Sequence, residues 1–163
     1  MINIGIFCGS ANGSDPVYRE AASQTGQLLA GKGMGIVYGG GKVGLMGAVA
    51  DAALEHGGHV TGVIPQSLVE REIAHTGLTH LHVVANMHER KMKMAAQLGL
   101  HAKPCAFLDV NGFYRPLQDM IRQMVEQGFL KKSHEDMLIF SANMTEITEY
   151  FADYRAPAVK WSQ

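Results

Sequence analysis

Apolar and polar positions along this chain switch repeatedly between a strand-like and a helix-like period. Ile2 to Phe7 is a β-rich run that ends in a loop of small residues, Cys8-Gly9-Ser10-Ala11-Asn12-Gly13-Ser14. Asp15-Pro16 predicts a helix start, with Asp15 as N-cap and Pro16 at the first helical position, where a missing N–H is harmless. This helix is predicted to run to about Gly31, and Met34 to Tyr38 reads as a second strand. After the glycine loop Gly39-Gly40-Gly41-Lys42-Val43-Gly44, residues Leu45 to His56 predict a helix closed by Gly57-Gly58. Its Leu45, Val49 and Ala53 form a core-facing row at i, i+4, i+8. Val60 to Ile64 reads as a third strand stopped by Pro65, and residues 66–79 as a polar loop or short helical turn. Leu81 to Val84 is a fourth strand, Met87 to about Leu98 a helix, and Cys105 to Val110 a further strand. A turn at Asn111-Gly112, a helix from Tyr114 to Gln127, a short strand at Leu138 to Phe140 and a helix from Thr145 to Tyr154 complete the pattern.

Strands alternating with helices of this length predict βαβ units, hence an α/β fold: a Rossmann-like, doubly wound, mostly parallel sheet. Residues 1–156 are expected to form a single domain, with Pro157 to Gln163 a loose tail. Sheets of this kind bind ligands at the carboxyl ends of their strands.

Composition narrows the function. The chain has 163 residues, 47% of them hydrophobic, and a formal net charge of −1. Without a Lys/Arg run it is not expected to have nucleic acid as its main partner. No stretch reaches the length of a membrane span. The N-terminus lacks the basic n-region of a signal peptide, which leaves the cytoplasm as the expectation. Cys8 and Cys105 read as small buried residues in a reducing compartment. The eight histidines supply no metal set and there is no G-x-S-x-G elbow.

The strongest local signal is Tyr38 to Gly47, in which Gly39, Gly41 and Gly44 satisfy G-x-G-x-x-G between a strand and a helix. Backbone N–H groups at such a helix start, with the helix dipole behind them, suit a phosphate. A dinucleotide would need a carboxylate near the end of the next strand. That strand ends Val63-Ile64-Pro65-Gln66-Ser67, so a mononucleotide or ribose phosphate is the better ligand. The alternative is a tight βα turn with no ligand. The first loop, with Gly9 and Ser10, reads equally well as a ligand contact or a plain turn. In Met87-His88-Glu89-Arg90-Lys91-Met92-Lys93-Met94, the residues Met87, Arg90, Lys91 and Met94 fall at helical spacing. Arg90 and Lys91 could clamp a phosphate, or form a solvated basic face.

CGS near the N-terminus, then VYGGGKVGLMG, VTGVIPQSL, EREI, MHERK and KPCAFLDVNGFY resemble in order and spacing the Lonely Guy (LOG) family of cytokinin-activating phosphoribohydrolases. The resemblance implies a Rossmann-like fold, a homodimer, and hydrolysis of the N-glycosidic bond of cytokinin riboside 5′-monophosphates to free base and ribose 5-phosphate. No cofactor and no metal are expected. It makes Arg90 the catalytic arginine, with Lys91 beside it, and Glu72 of EREI a substrate contact. Gly9, Ser10, Gly39, Gly40, Gly41, Gly44, Met46, Gly47 and Met87 would complete the substrate and phosphate site. Relatives carry the older label "lysine decarboxylase-like", but nothing here picks out the Schiff-base lysine and pyridinium partner of pyridoxal chemistry.

The chain departs from the family pattern after MHERK. The family continues into an apolar strand ending Pro-Gly-Gly-x-Gly-Thr-x-x-Glu, whereas this chain runs from Ala95-Ala96-Gln97 to Lys103-Pro104 with no Pro-Gly-Gly triplet. The absent stretch corresponds to a strand, a loop and about three helical turns, roughly two dozen residues. Its glutamate is the family's catalytic carboxylate, needed because cleaving a riboside builds positive charge on the sugar. The preferred expectation is a natural protein that carries this segment. The alternative is a true deletion that leaves a non-catalytic nucleotide or cofactor-binding protein, akin to the molybdenum-cofactor carriers.

Overall fold

A computed structural model describes residues 2–71, 73–97 and 103–155. Glu72, Leu98 and the expected tail at 157–163 lie outside the described residues. The chain divides into two compact units, residues 1–100 and 101–163.

The first unit alternates strand and helix: β1 (Asn3–Gly5), α1 (Pro16–Gly31), β2 (Gly35–Tyr38), α2 (Gly44–Glu55), β3 (Val60–Pro65), the single turn α3 (Gln66–Val69), β4 (His80–Val84) and α4 (Met87–Gln97). The strands lie in the order β1-β2-β3-β4, every pair parallel. Val37 is level with Thr61, and Pro65 with Val84. Side chains alternate across a strand, so Val37, Val63 and Val84 share one face. There they cluster with Met94 of α4. Ile36, Tyr38, Val60 and Ile64 take the opposite face and are almost wholly inaccessible. Both faces of the sheet are therefore apolar, as a parallel sheet requires.

The start of α1 follows from Asp15, whose side chain accepts a hydrogen bond from the Val17 N–H at 2.9 Å, with Pro16 behind it. α1 packs on α2 through Gly26, where a Cβ would strike the Val49 carbonyl. Val49 and Ala53, two of the three residues in the predicted row, are buried, and Leu45 is half-buried.

The second unit holds β5 (Cys105–Leu108), α5 (Arg115–Glu126), the turn α6 (Lys132–Glu135), β6 (Leu138–Ser141) and α7 (Met144–Asp153). β5 and β6 pair in parallel, and Phe107 stacks on Phe140 across them at 4.6 Å. A 3₁₀ turn at Val110–Gly112 follows β5, with Asn111 at φ 54° and Gly112 at φ 71°. These left-handed conformations suit the predicted Asn-Gly turn.

Some expectations need correction. Cys105 is exposed rather than buried, because it begins β5. β1 covers only Asn3–Gly5 of the apolar run from Ile2, and Phe7 is exposed. β3 includes Pro65, which pairs with Val84 beyond the end of β2, where no β2 acceptor needs its missing N–H. α6, with the polar sequence KSHE, carried no apolar periodicity by which to predict it.

Candidate functional site

Three chain segments meet at the carboxyl ends of β1, β2 and β3. The first is the small-residue loop after β1. Its Ser10–Ala11 backbone lies where a side chain on Gly44 would go, and Gly44 has φ 62°. Only glycine meets both demands, the left-handed backbone and the absence of a Cβ. The loop after β1 is thereby seated on the start of α2. Gly9 and Ser10 themselves are exposed.

The second segment is the glycine loop, whose successive carbonyls are each held by a different donor. Gly39 O accepts from Arg90 Nη2 at 2.7 Å, Gly40 O from the His75 N–H at 2.9 Å, and Gly41 O from the Tyr38 hydroxyl at 3.1 Å. These three carbonyls are thus satisfied within the protein. An isolated antiparallel bridge joins Gly41 to Ala74, flanked by Lys42 N–H to Ile73 O at 2.8 Å and by the His75 bond. In such a bridge the central residue's own N–H points away from the partner segment, so that of Gly41 is not spent on it. α2 then starts at Gly44 with no side chain capping it. Its first N–H groups have no intrahelical acceptor and carry the positive end of the dipole. Such a terminus is suited to a phosphate.

The third segment is α4. Arg90 reaches back across the sheet end. Besides Gly39 O, its Nε donates to Val63 O at 2.9 Å, so one guanidinium ties β2 to β3. Its Nη1 lies 3.6 Å from the Met87 sulfur. Burial lowers the Arg90 guanidinium from its usual range, and a partly desolvated cation attracts an anion more strongly than one in water. Met46 lies beside Gly39 and Gly41, its sulfur and methyl occupying the space that side chains there would need. Ser10, Gly39, Gly41, Gly44, Met46, Met87 and Arg90 are therefore gathered at one sheet end.

Other candidates stand differently. Lys91, next to Arg90 in sequence, is exposed. Gly47 is buried, and a Cβ there would strike the Lys42 carbonyl, so its smallness serves the fit of α2 against the loop. Three participants carried no sequence signal: the Tyr38 hydroxyl, the Val63 carbonyl and the segment 73–75. The first two look like ordinary strand positions, and the third is a loop whose pairing depends on contacts far along the chain. Among the described residues no group of three or more His, Cys, Asp or Glu could hold a metal.

A parallel α/β sheet with glycine loops and an arginine at its carboxyl end defines a Rossmann-like protein of the nucleotide-site class. The family model described as "Possible lysine decarboxylase" matches residues 46–97 and 95–151. The chain belongs to the LOG family. It is 36% identical over 174 residues to the probable cytokinin riboside 5′-monophosphate phosphoribohydrolase LOGL2 of Oryza sativa subsp. japonica, covering 91% of this chain and 71% of that protein. It is 36% identical over 176 residues to the cytokinin riboside 5′-monophosphate phosphoribohydrolase LOG7 of Arabidopsis thaliana, covering 93% of this chain and 81% of that one. Both alignments are longer than the 163-residue chain itself, so these relatives carry residues with no counterpart here. The family match is likewise in two pieces, which meet at 95–97.

Among solved structures, the fold is similar to that of TM1055, with a TM-score of 0.65 and 18% identity, covering 94% of this chain and 98% of that one. It is also similar to the Chlamydomonas Moco carrier protein, with a TM-score of 0.62 and 16% identity, covering 93% and 98%.

Proposed function

We propose that the protein hydrolyses the N-glycosidic bond of N6-modified adenosine 5′-monophosphates, releasing free base and ribose 5-phosphate, and so activates cytokinins. The observation that carries this reading is the seating of Arg90 on Gly39 O beside the uncapped start of α2. The names of the relatives supply the substrate class. In this mechanism the 5′-phosphate sits against the N–H groups of Gly41 and the first turn of α2. Gly9 and Ser10 border it, and Met46 and Met87 line the approach. Arg90 carries the positive charge at the reacting end, with Glu72 touching the substrate and Lys91 attracting it from the exposed face of α4. No cofactor or metal takes part. The reaction also needs a carboxylate at the glycosidic carbon, which the family supplies from the Pro-Gly-Gly-x-Gly-Thr-x-x-Glu segment.

The test is to incubate the protein with isopentenyladenosine monophosphate and measure free base by chromatography. Arg90→Ala is expected to reduce release by about 10²–10³-fold, the loss typical of one charge-stabilising group. Undiminished release by that variant would remove Arg90 from the mechanism.

One observation favours a second reading. The chain has no Pro-Gly-Gly-x-Gly-Thr-x-x-Glu sequence between Ala95 and Lys103. A protein without that carboxylate would bind the nucleotide and not cleave it. Thermal stabilisation by AMP without release of base is the outcome that selects this reading. For either reading we infer a cytoplasmic homodimer. Among the described residues no helix is long and apolar enough to cross a membrane. The dimer rests on the family, and sedimentation velocity tests it.

A further inference from the structure

We propose that Asp51 and His75 form a positioning pair that clamps the segment 73–75 onto the glycine loop and fixes the loop's shape for the phosphate. The inference rests on the reading that this loop receives a nucleotide phosphate. Neither side chain touches the ligand in this scheme.

The geometry starts at the imidazole of His75. Its Nδ1 lies 3.0 Å from the Gly77 N–H, which can only donate, so Nδ1 is the acceptor and the ring hydrogen resides on Nε2. Nε2 then donates to Asp51 Oδ1 at 2.8 Å. Both ring nitrogens are thereby engaged, which sets tautomer and orientation together. The His75 side chain is only 11% exposed, so its position is held by packing as well, while the Asp51 side chain is 54% exposed. The backbone N–H of His75 donates to Gly40 O, and Ile73 O accepts from Lys42 N–H. Residues 73–75 are thus a strap with two ties to the loop and one to α2.

Gly40 has φ 73°, a conformation that the loop must hold for Gly41 and Gly44 to keep their places. Asp51 stands on α2 two turns beyond Gly44, on the helix whose N-terminus faces the phosphate in the proposed function. The pair therefore links the strap to that helix and sets the distance between loop and helix start.

The experiment is AMP titration by calorimetry on wild-type protein, Asp51→Ala and Asp51→Asn, with amide hydrogen exchange followed at Lys42 and His75. Asparagine keeps an oxygen acceptor for Nε2–H and loses the charge, so it is expected to stay within about threefold of wild type. Asp51→Ala removes the acceptor and is expected to weaken AMP by roughly 10- to 100-fold, the scale of a misplaced binding group. Exchange at Lys42 and His75 should quicken in the alanine variant alone. A purely stabilising role would shift the melting temperature and leave AMP affinity unchanged in folded protein. If Asp51→Ala does not fold, Asp51→Glu replaces it, because the added methylene displaces the carboxylate, and the same weakening is expected. Wild-type affinity in Asp51→Ala, or equal loss in alanine and asparagine variants, overturns the positioning pair while the nucleotide site stands. Failure of the wild-type protein to bind AMP overturns the reading beneath it and this inference with it.

Discussion

Tyr38 and Cys8 carry the chemistry of the glycine loop's surroundings. Burial, with Asp51 and Cys8 adding to it, pushes the Tyr38 phenol well above its usual range, so it remains an O–H donor to Gly41 O at any ordinary pH. Tyr38→Phe would leave that carbonyl without its donor. The expected loss is about 1–3 kcal/mol of stability, read from urea unfolding, with AMP affinity falling in parallel. Burial also raises the Cys8 thiol, to about 11 from 9.0. The unfolded chain therefore gives up this proton first as pH rises, and the folded chain retains it. Stability contributed by the neutral thiol is complete below pH 9 and declines between pH 9 and 11. Cys8→Ala should flatten that part of a stability–pH curve, and an unchanged slope would contradict the assignment.

At the scale of elements, the joint between α1 and α2 sets where the uncapped start of α2 lies. Gly26 allows the two helices to touch backbone to backbone, since a Cβ would meet the Val49 carbonyl. Gly26→Ala is expected to destabilise by roughly 1–3 kcal/mol, as overpacking does. The same change on an exposed helix position would stabilise, because alanine is the better helix former. The sign of the shift in the thermal midpoint therefore tests the joint. α1 was legible almost to the residue, from Asp15 and Pro16 at one end to Gly31 at the other, because capping is local chemistry. α6 was not legible, since a single polar turn has no periodicity to detect. Nor was the exposure of Cys105, which depends on its standing at the very start of β5.

For the whole molecule, the question is whether the carboxylate of the LOG reaction is present. Residues 2–97 build the arginine, the glycine loops and the helix terminus. The family match falls into two pieces at 95–97, and the relatives' alignments exceed the chain in length. The hydrolase reading leads us to expect that the protein from its natural source is heavier than 17.7 kDa by roughly two dozen residues. Intact-mass measurement checks this, and a value at 17.7 kDa selects the binding protein.

The sequence by itself determined the alternation of strand and helix, the parallel sheet and the glycine-rich turn at a helix start. Each of these follows from periodicity, capping or backbone freedom within a few residues. Ordered motifs along the chain also carried the family. Only the tertiary structure decided that Arg90 turns inward to Gly39 and Val63 while its neighbour Lys91 is exposed. The same holds for the 73–75 strap that closes on the glycine loop and for the meeting of Asp51 with His75. Those pairings join residues 24 to 51 positions apart, and no local pattern encodes a contact that exists only once the sheet has brought its strand ends together.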